Sequence, residues 1–298
     1  NNRLTMKKLL LILLCLPMVV LAQQTYVPDD NFEQALINIG YDNVLDNYVT
    51  TANINTATYL AIQGQSIEDL TGIEDFISLN FLDCSFNFLT SLDVSNNTSL
   101  SELRCNGNFL TSLDVSNNTS LTSLSCGTNQ LSSIDVSQNI YLEHLLIGNN
   151  LLMTLDISNT NLKTLECETN QLTSLDISNK QIWNLKCQNN QLNSLDLRNG
   201  FNTILTRINT SNNPNLSCID VDDNQYSIFT WVGVYYVFDN QQYFSNNCSG
   251  TTSIQEHTTN KELLKVTDLL GRETKEKKNQ PLFYIYDDGS TEKKIIID

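Results

Sequence analysis

From Leu60 to Val221 the chain repeats one alternation of apolar and polar positions. Leu60, Leu82, Leu103, Leu124, Leu145, Leu165, Leu185 and Ile208 recur at spacings of 22, 21, 21, 21, 20, 20 and 23 residues. Around each the pattern is L-x-x-L-x-C-x-x-N-x-L, as in Leu121 to Leu131. The L-x-C alternation has period 2, so it predicts a short strand with one face inward. A single such coil cannot bury its leucine side, but stacked coils share one continuous core. Parallel strands stack about 4.8 Å apart, which makes eight coils a rod of roughly 35–40 Å. A second half-unit, L-x-x-L-D-[VI]-S as in Leu110 to Ser116, also has strand periodicity. Two short strand segments per coil and few helices are therefore expected.

These residues resemble the leucine-rich repeat family. The half-unit L-x-x-L-x-[LC]-x-x-N-x-L carries the match over about residues 60–222, with Asn87, Asn108, Asn129, Asn150, Asn170, Asn190 and Asn213 in register. The second half-unit is similar to the bacterial variant with nested halves of 10 and 11 residues and Cys and Asn ladders. The resemblance implies a right-handed, β-rich solenoid of about eight coils with a parallel sheet on its concave side.

Three rows of residues follow from the repeat. The Asn row fits inward corners, where each side chain can bond backbone groups of adjacent coils. The second row holds Cys84, Cys105, Cys126, Cys167 and Cys187, with Ile62 and Ile147 in the same place. Isoleucine substitution points to packed thiols. Disulfides between coils and a soft metal remain the other readings, although paired C-x-x-C spacing is absent and no metal is assigned. The third row is acidic: Asp93, Asp114, Asp135, Asp156, Asp176, Asp196 and Asp220. Like charges one coil apart repel, so something must offset them. Turn-forming hydrogen bonds, with Ser95, Ser116, Ser137, Ser158 and Ser178 nearby, are one reading. Calcium is the other, and it is the one cofactor the sequence raises.

Open solenoid ends need caps. Asp30 to Glu33 has the spacing of a capping box, Phe32, Leu36 and Ile39 share one helical face, and Gly40 can end the helix. This predicts an N-terminal helical cap within residues 23–59. After residue 222 the repeat fades into an aromatic stretch with Trp231, Tyr235, Tyr236 and Phe238. Cys218 and Cys248 lie outside the thiol row. In an exported protein they are expected to bond and to staple a C-terminal cap, residues 223–250.

Export is read from the start of the chain. Met6-Lys7-Lys8, an apolar run from Leu9 to Leu21 and a small residue at Ala22 form a secretory signal peptide pattern over 1–22. The run is short for a membrane span.

Charge sharpens the picture. The 298 residues carry 17 Lys+Arg and 33 Asp+Glu, a net charge of −16, with 40% hydrophobic residues. Residues 23–254 hold six basic residues against 24 acids. That balance argues against nucleic acid and against an anionic membrane surface. Residues 255–298 differ, with eight basic and nine acidic residues. A polar linker, 251–260, leads into a tail, 261–298, whose runs from Leu263, Leu282 and Lys293 predict three strands, with a hairpin turn at Asp287 to Gly289. The motifs D-x-x-G-[RK], Y-x-Y-x-D-G and K-K-I-I-I make this tail resemble the type A C-terminal sorting domain of type IX secretion. That resemblance implies the secretion machinery as a partner and the outer surface of a Gram-negative bacterium as the destination. A small accessory β-module is the plainer reading.

Function would then lie on the concave strand positions, which are irregular where the core rows are regular. Arg104, His144, Leu146, Glu166 and Lys186 mark a candidate patch for a protein or glycan ligand, against the plainer reading of a solvated sheet face. His144 and His257 are the only histidines, and no nucleophile grouping or phosphate loop is present, so a non-enzymatic binding protein is expected. The alternative is a structural surface component whose acidic ladder holds cations.

Overall fold

The computed structural model describes residues 23–158, 160–177, 180–200, 202–231, 235–248, 263–268, 271–275, 281–286 and 291–295. The signal peptide, the linker, Ser178 and the turn at Asp287 to Gly289 lie outside them.

The chain opens with β1 (Gln24–Tyr26), α1 (Asp30–Ile39), β2 (Tyr48–Thr50) and α2 (Thr51–Ile54), with β1 and β2 antiparallel. The cap of α1 differs from the expected box. Asp29, not Asp30, is the N-cap, and its Oδ1 accepts from the N–H groups of Asn31 and Phe32 at 2.9 Å. Glu33 does not reach back. It is fully buried and accepts from the N–H groups of Asp46, Asn47 and Tyr48, because a buried carboxylate needs several donors. Phe32 and Leu36 are buried, whereas Ile39 is exposed at the helix end, just before Gly40 turns the chain at φ 89°. The helix closes the first coil. Asp29 Oδ2 accepts from Glu68 and Asp69 N–H, and the Phe32 ring packs on Phe76.

The solenoid strands follow. They are β3 (Tyr59–Ala61), β4 (Phe81–Asp83), β5 (Glu102–Arg104), β6 (Ser123–Ser125), β7 (His144–Leu146), β8 (Thr164–Glu166), β9 (Ser174–Asp176), β10 (Asn184–Lys186), β11 (Ser194–Asp196), β12 (Arg207–Asn209), β13 (Cys218–Asp220), β14 (Tyr236–Val237) and β15 (Tyr243–Ser245). A nine-stranded sheet runs β3-β4-β5-β6-β7-β8-β10-β12-β14, and its described pairs are parallel. The strand leucines from Leu60 to Leu185 are fully buried and Ile208 nearly so. This is the leucine-rich repeat solenoid the repeat predicts.

The second strand per coil forms only in the later coils, as the parallel sheet β9-β11-β13-β15. Earlier coils have a longer corner, eight residues from Asp114 to Leu121 against seven from Asp176 to Ile182. That corner holds a second asparagine row. Asn97, Asn118 and Asn139 are fully buried, and each Nδ2 donates to two carbonyls one coil back. Where the corner shortens, Thr160 and then Lys180 stand in the row. Lys180 is 8% exposed, and its Nζ donates to Ser158 O and Thr160 O at 2.7 Å. Burial lowers its pKa from the ordinary lysine value.

The first asparagine row is built as its spacing predicts. Asn108 Nδ2 donates to Cys84 O and Cys105 O, while its Oδ1 accepts from Leu89 N–H. The same pattern repeats to Asn213, which binds Cys187 O and Thr210 O. The residue before each Asn is left-handed: Phe86, Gly107, Thr128, Asn149, Thr169, Asn189 and Asn212 have φ between 54° and 69°. The five row cysteines are buried and free. Burial pushes Cys126 and Cys187 up to about 12, so they are packed thiols rather than thiolates.

Cys218 and Cys248 are bonded, with Cα atoms 5.7 Å apart. The C-terminal cap continues both sheets, because Tyr236 pairs with Ile208 and Phe244 with Ile219. Helix α3 (Asn224–Thr230) leads to buried Trp231, whose ring stacks on Tyr236 and meets Phe244 edge-on. The tail forms the antiparallel sheet β16 (Leu263–Thr267), β17 (Pro281–Tyr286) and β18 (Thr291–Ile295), with Val266, Leu282 and Tyr284 buried in it. In the D-x-x-G-R motif Gly271 N–H donates to Asp268 O at 3.0 Å. Gly271 has φ 72°, and Asp268 accepts from the backbone and side chain of Arg272.

Candidate functional site

Outward side chains of the nine-stranded sheet fall into rows set by the parallel register. Arg104, Ser125, Leu146, Glu166, Lys186 and Asn209 stand in one row. Phe81, Glu102, Ser123, His144, Thr164, Asn184 and Arg207 stand in the next. The five residues singled out from the sequence therefore share a face, but they do not form one cluster.

Arg104 belongs to the N-terminal end. It pairs with Glu102 at 2.5 Å and lies 5.3 Å over the Phe81 ring, which stacks on exposed Tyr59 at 4.5 Å. Three strands lie between it and Lys186, and four strand spacings put the two about 19 Å apart. Half-buried His144 and Leu146 lie between the two ends. Glu166 and Lys186 are together, with Nζ 2.8 Å from Oε1, and Asn184 Nδ2 donates to the same oxygen at 3.0 Å.

This C-terminal end holds a hollow of about 240 Å³ bordered by Glu168, Asn184, Lys186, Gln188, Arg207 and Tyr235. Arg207 lies 4.9 Å over the Tyr235 ring, and Tyr235 as a residue remains 57% exposed. Asn184 is only 9% exposed, yet its Oδ1 has no hydrogen-bond partner among the described residues, nor has Gln188 Oε1. Sequence reasoning placed Glu168, Asn184, Gln188 and Arg207 on this face without singling them out. Tyr235 escaped it because it comes from the cap, beyond the last regular repeat. The glycines at 127 and 148 were the available signal. A Cβ at Gly127 would meet the Gly148 backbone, and the Glu168 carboxylate lies on Gly148.

The acidic row occupies another face. Oδ1 of Asp93, Asp114, Asp135, Asp156 and Asp196 accepts from the N–H two residues ahead at 2.8–2.9 Å. These are the hydrogen-bonded turns of the first reading. The Ser95 and Ser116 side chains, then their N–H groups, hold Asp93 and Asp114 below the usual carboxylate range. For Asp135 and Asp156 the N–H of Ser137 and Ser158 dominates. At the end of the row, Arg198 binds Asp196 at 2.6 Å and lies 3.7 Å from Asp220. Among the described residues no cluster of three or more His, Cys, Asp or Glu has a metal-holding arrangement, and no helix is long and apolar enough to cross a membrane.

Fold and sheet define a leucine-rich repeat solenoid protein with its outward sheet face open. No family model matches the chain. A stretch of 73 residues is 38% identical to Internalin J of Listeria monocytogenes serotype 4b, covering 24% of this chain and 8% of that protein. The solved functional domain of Listeria monocytogenes InlJ, described as including a cysteine ladder, is 29% identical with a TM-score of 0.44, over 68% of this chain and 58% of that one. A second Listeria monocytogenes internalin is 19% identical with a TM-score of 0.47, over 68% and 73%. A leucine-rich repeat protein of Leptospira interrogans is 23% identical with a TM-score of 0.40, over 50% and 44%. The chain is thus similar to internalins while spanning a small part of Internalin J and just over half of the solved InlJ chain.

Proposed function

We propose that this chain is a secreted or cell-surface binding protein without enzymatic activity, and that the long sheet face recognises a protein or glycan ligand. One observation carries the reading. The inward rows hold nearly one residue type each, whereas the outward rows of the same strands mix charged, aromatic and small residues. Packing demands uniformity only inside, so the outward variety is free to serve recognition. Similarity to internalins over 73 residues supports the same reading. Arg104→Glu and Lys186→Glu test it. Loss of captured surface partners in either variant, with melting unchanged, supports it, and unchanged capture in both argues against it.

The leader pattern at 1–22 and the tail motifs support export to the outer surface of a Gram-negative bacterium through type IX machinery. A reporter fused to residues 250–298 tests this in a competent host, and retention in the periplasm argues against it. The second reading is a structural component whose ladder Asp93, Asp114, Asp135, Asp156, Asp176 and Asp196 binds calcium, and the recurrence of a carboxylate at one position of successive coils supports it. Melting that does not respond to calcium argues against it.

A further inference from the structure

We propose that the turns after β4 and β5 form a docking surface for a cationic segment of a partner protein that also carries apolar anchors. The proposal goes beyond the reading of the long sheet, because these turns lie past the strand ends. The first observation is apolar exposure. Phe86, Phe88 and Phe109 remain 65%, 48% and 47% exposed as residues. They converge from two adjacent coils. The Phe88 and Phe109 rings stack with centroids 6.2 Å apart. The Phe86 ring lies on Gly107, where a Cβ would sit 2.6 Å from it. Packing does not demand these rings. Glutamine holds the place of Phe88 and Phe109 at residues 130, 171 and 191. Phe86 has φ 56°, at a place where later coils carry glycine, threonine or asparagine. An exposed apolar cluster that the core does not use marks an interaction surface.

The second observation is charge, and it chooses the partner. Residues 23–162 hold 16 acids and one base, Arg104, which Glu102 already engages on the sheet face. Phe88 N–H donates to Ile67 O, so exposed Glu68 and Asp69 follow directly beside it. Asp29 joins them, since its Oδ2 accepts from both of their N–H groups. Half-buried Asp83 precedes Phe86 by three residues. Lysine or arginine of a partner would meet carboxylates that no cation of these coils except Arg104 balances, and its apolar or guanidinium surface would meet the rings. A second copy of the chain would bring the same acids against these, and an anionic lipid surface would be repelled in the same way. Phenylalanine offers a sugar hydroxyl neither donor nor acceptor.

The full chain with its disulfide intact is titrated with three synthetic peptides of equal length. One alternates arginine with leucine, one glutamate with leucine and one arginine with serine. The arginine-leucine peptide is expected to bind about tenfold more tightly than either of the others, and less tightly as salt rises. Two variants locate the site. Phe86→Gly removes a ring where glycine suits the left-handed backbone, so the fold is kept. Phe88→Ser opens the stacked pair, and where it lowers melting Phe86→Gly decides. Each is expected to weaken binding of the arginine-leucine peptide about tenfold. Tyr141→Ser is the control. Tyr141 is 63% exposed but precedes its strand, beside the second asparagine row, so binding should not change. No binding of the arginine-leucine peptide, equal binding of either other peptide, equal affinity in Phe86→Gly, or an equal loss in Tyr141→Ser overturns the proposal. A dimer in sedimentation that Phe86→Gly disperses assigns the rings to a second copy and overturns it too.

Discussion

The carboxylate of Glu168 lies on the backbone of Gly148, close enough that a Cβ at residue 148 would sit 2.6 Å from Glu168 Cδ. Burial, reinforced by the Glu166 charge, holds this carboxyl above its ordinary value of 4.5. The unfolded chain ionises near that ordinary value and the folded protein only at higher pH. Ionisation therefore destabilises the fold as pH rises above 4.5, and the penalty is complete above the folded value. Glu168→Gln is expected to raise the Tm at pH 7, with the gain vanishing below pH 4.5. Gly148→Ala should cost about 1–3 kcal/mol by overpacking. Calorimetry of both variants checks the pair, and equal Tm values for Glu168→Gln and wild type at pH 7 would refute the pH argument.

Lys180 closes the second asparagine row with an ammonium donating to two carbonyls. Lys180→Met keeps the stem and removes both bonds, leaving Ser158 O and Thr160 O without that donor. A loss of about 2 kcal/mol or more is expected in denaturant unfolding. A variant as stable as wild type would show that the ammonium contributes nothing there.

Thr128 holds φ 55°, a left-handed conformation unfavourable for a β-branched residue. Asparagine occupies the matching position at residues 149, 189 and 212. Thr128→Asn is expected to stabilise the protein by about 0.5–1 kcal/mol, read from the shift in denaturant midpoint. A destabilised variant would mean that the Thr128 side chain makes a contact worth more than its backbone strain.

The acidic row makes the opposite pH contribution to Glu168. Asp93, Asp114, Asp135 and Asp156 sit below their ordinary value of 3.8. Their contribution to stability is present above 3.8 and lost as pH falls through the lowered values. Ser116→Ala removes the largest cause at Asp114, so its carboxyl should titrate closer to 3.8 by NMR. An unmoved titration would exclude the hydroxyl as the cause.

The row thiols and the disulfide give a simple chemical count. On mature, unreduced protein, thiol reagent should find no fast-reacting row cysteine in the native state and five thiols after unfolding. Reduction of Cys218–Cys248 should lower stability by about 3–4 kcal/mol in the chain-entropy model. Seven thiols after unfolding without reductant would show that the bond does not form in solution.

Core rows were legible in the sequence because a stacked coil repeats its inward demands at every turn. Leucine, cysteine and asparagine spacings translate directly into buried positions, and the two odd cysteines stood out by breaking the row. Asn97, Asn118 and Asn139 were equally periodic but sat beside exposed Asn96 and Asn117, so spacing alone did not separate inward from outward. The α1 cap moved by one residue because adjacent Asp29 and Asp30 can both start a helix, and only Glu33's burial decides between them. The hollow was the least legible part. It joins array residues to Tyr235, and register, not local sequence, brings that ring to Arg207.

The shortening of the corner after Asn139 divides the rod into two kinds of stitching. Coils before it are fastened by one sheet and two asparagine rows, and coils after it by two sheets and one row. Thr160 and Lys180 are the splice between them. Under heat or tension such a rod should unzip to the splice and pause there, so the N-terminal and C-terminal coils should exchange their amide hydrogens as two separate blocks.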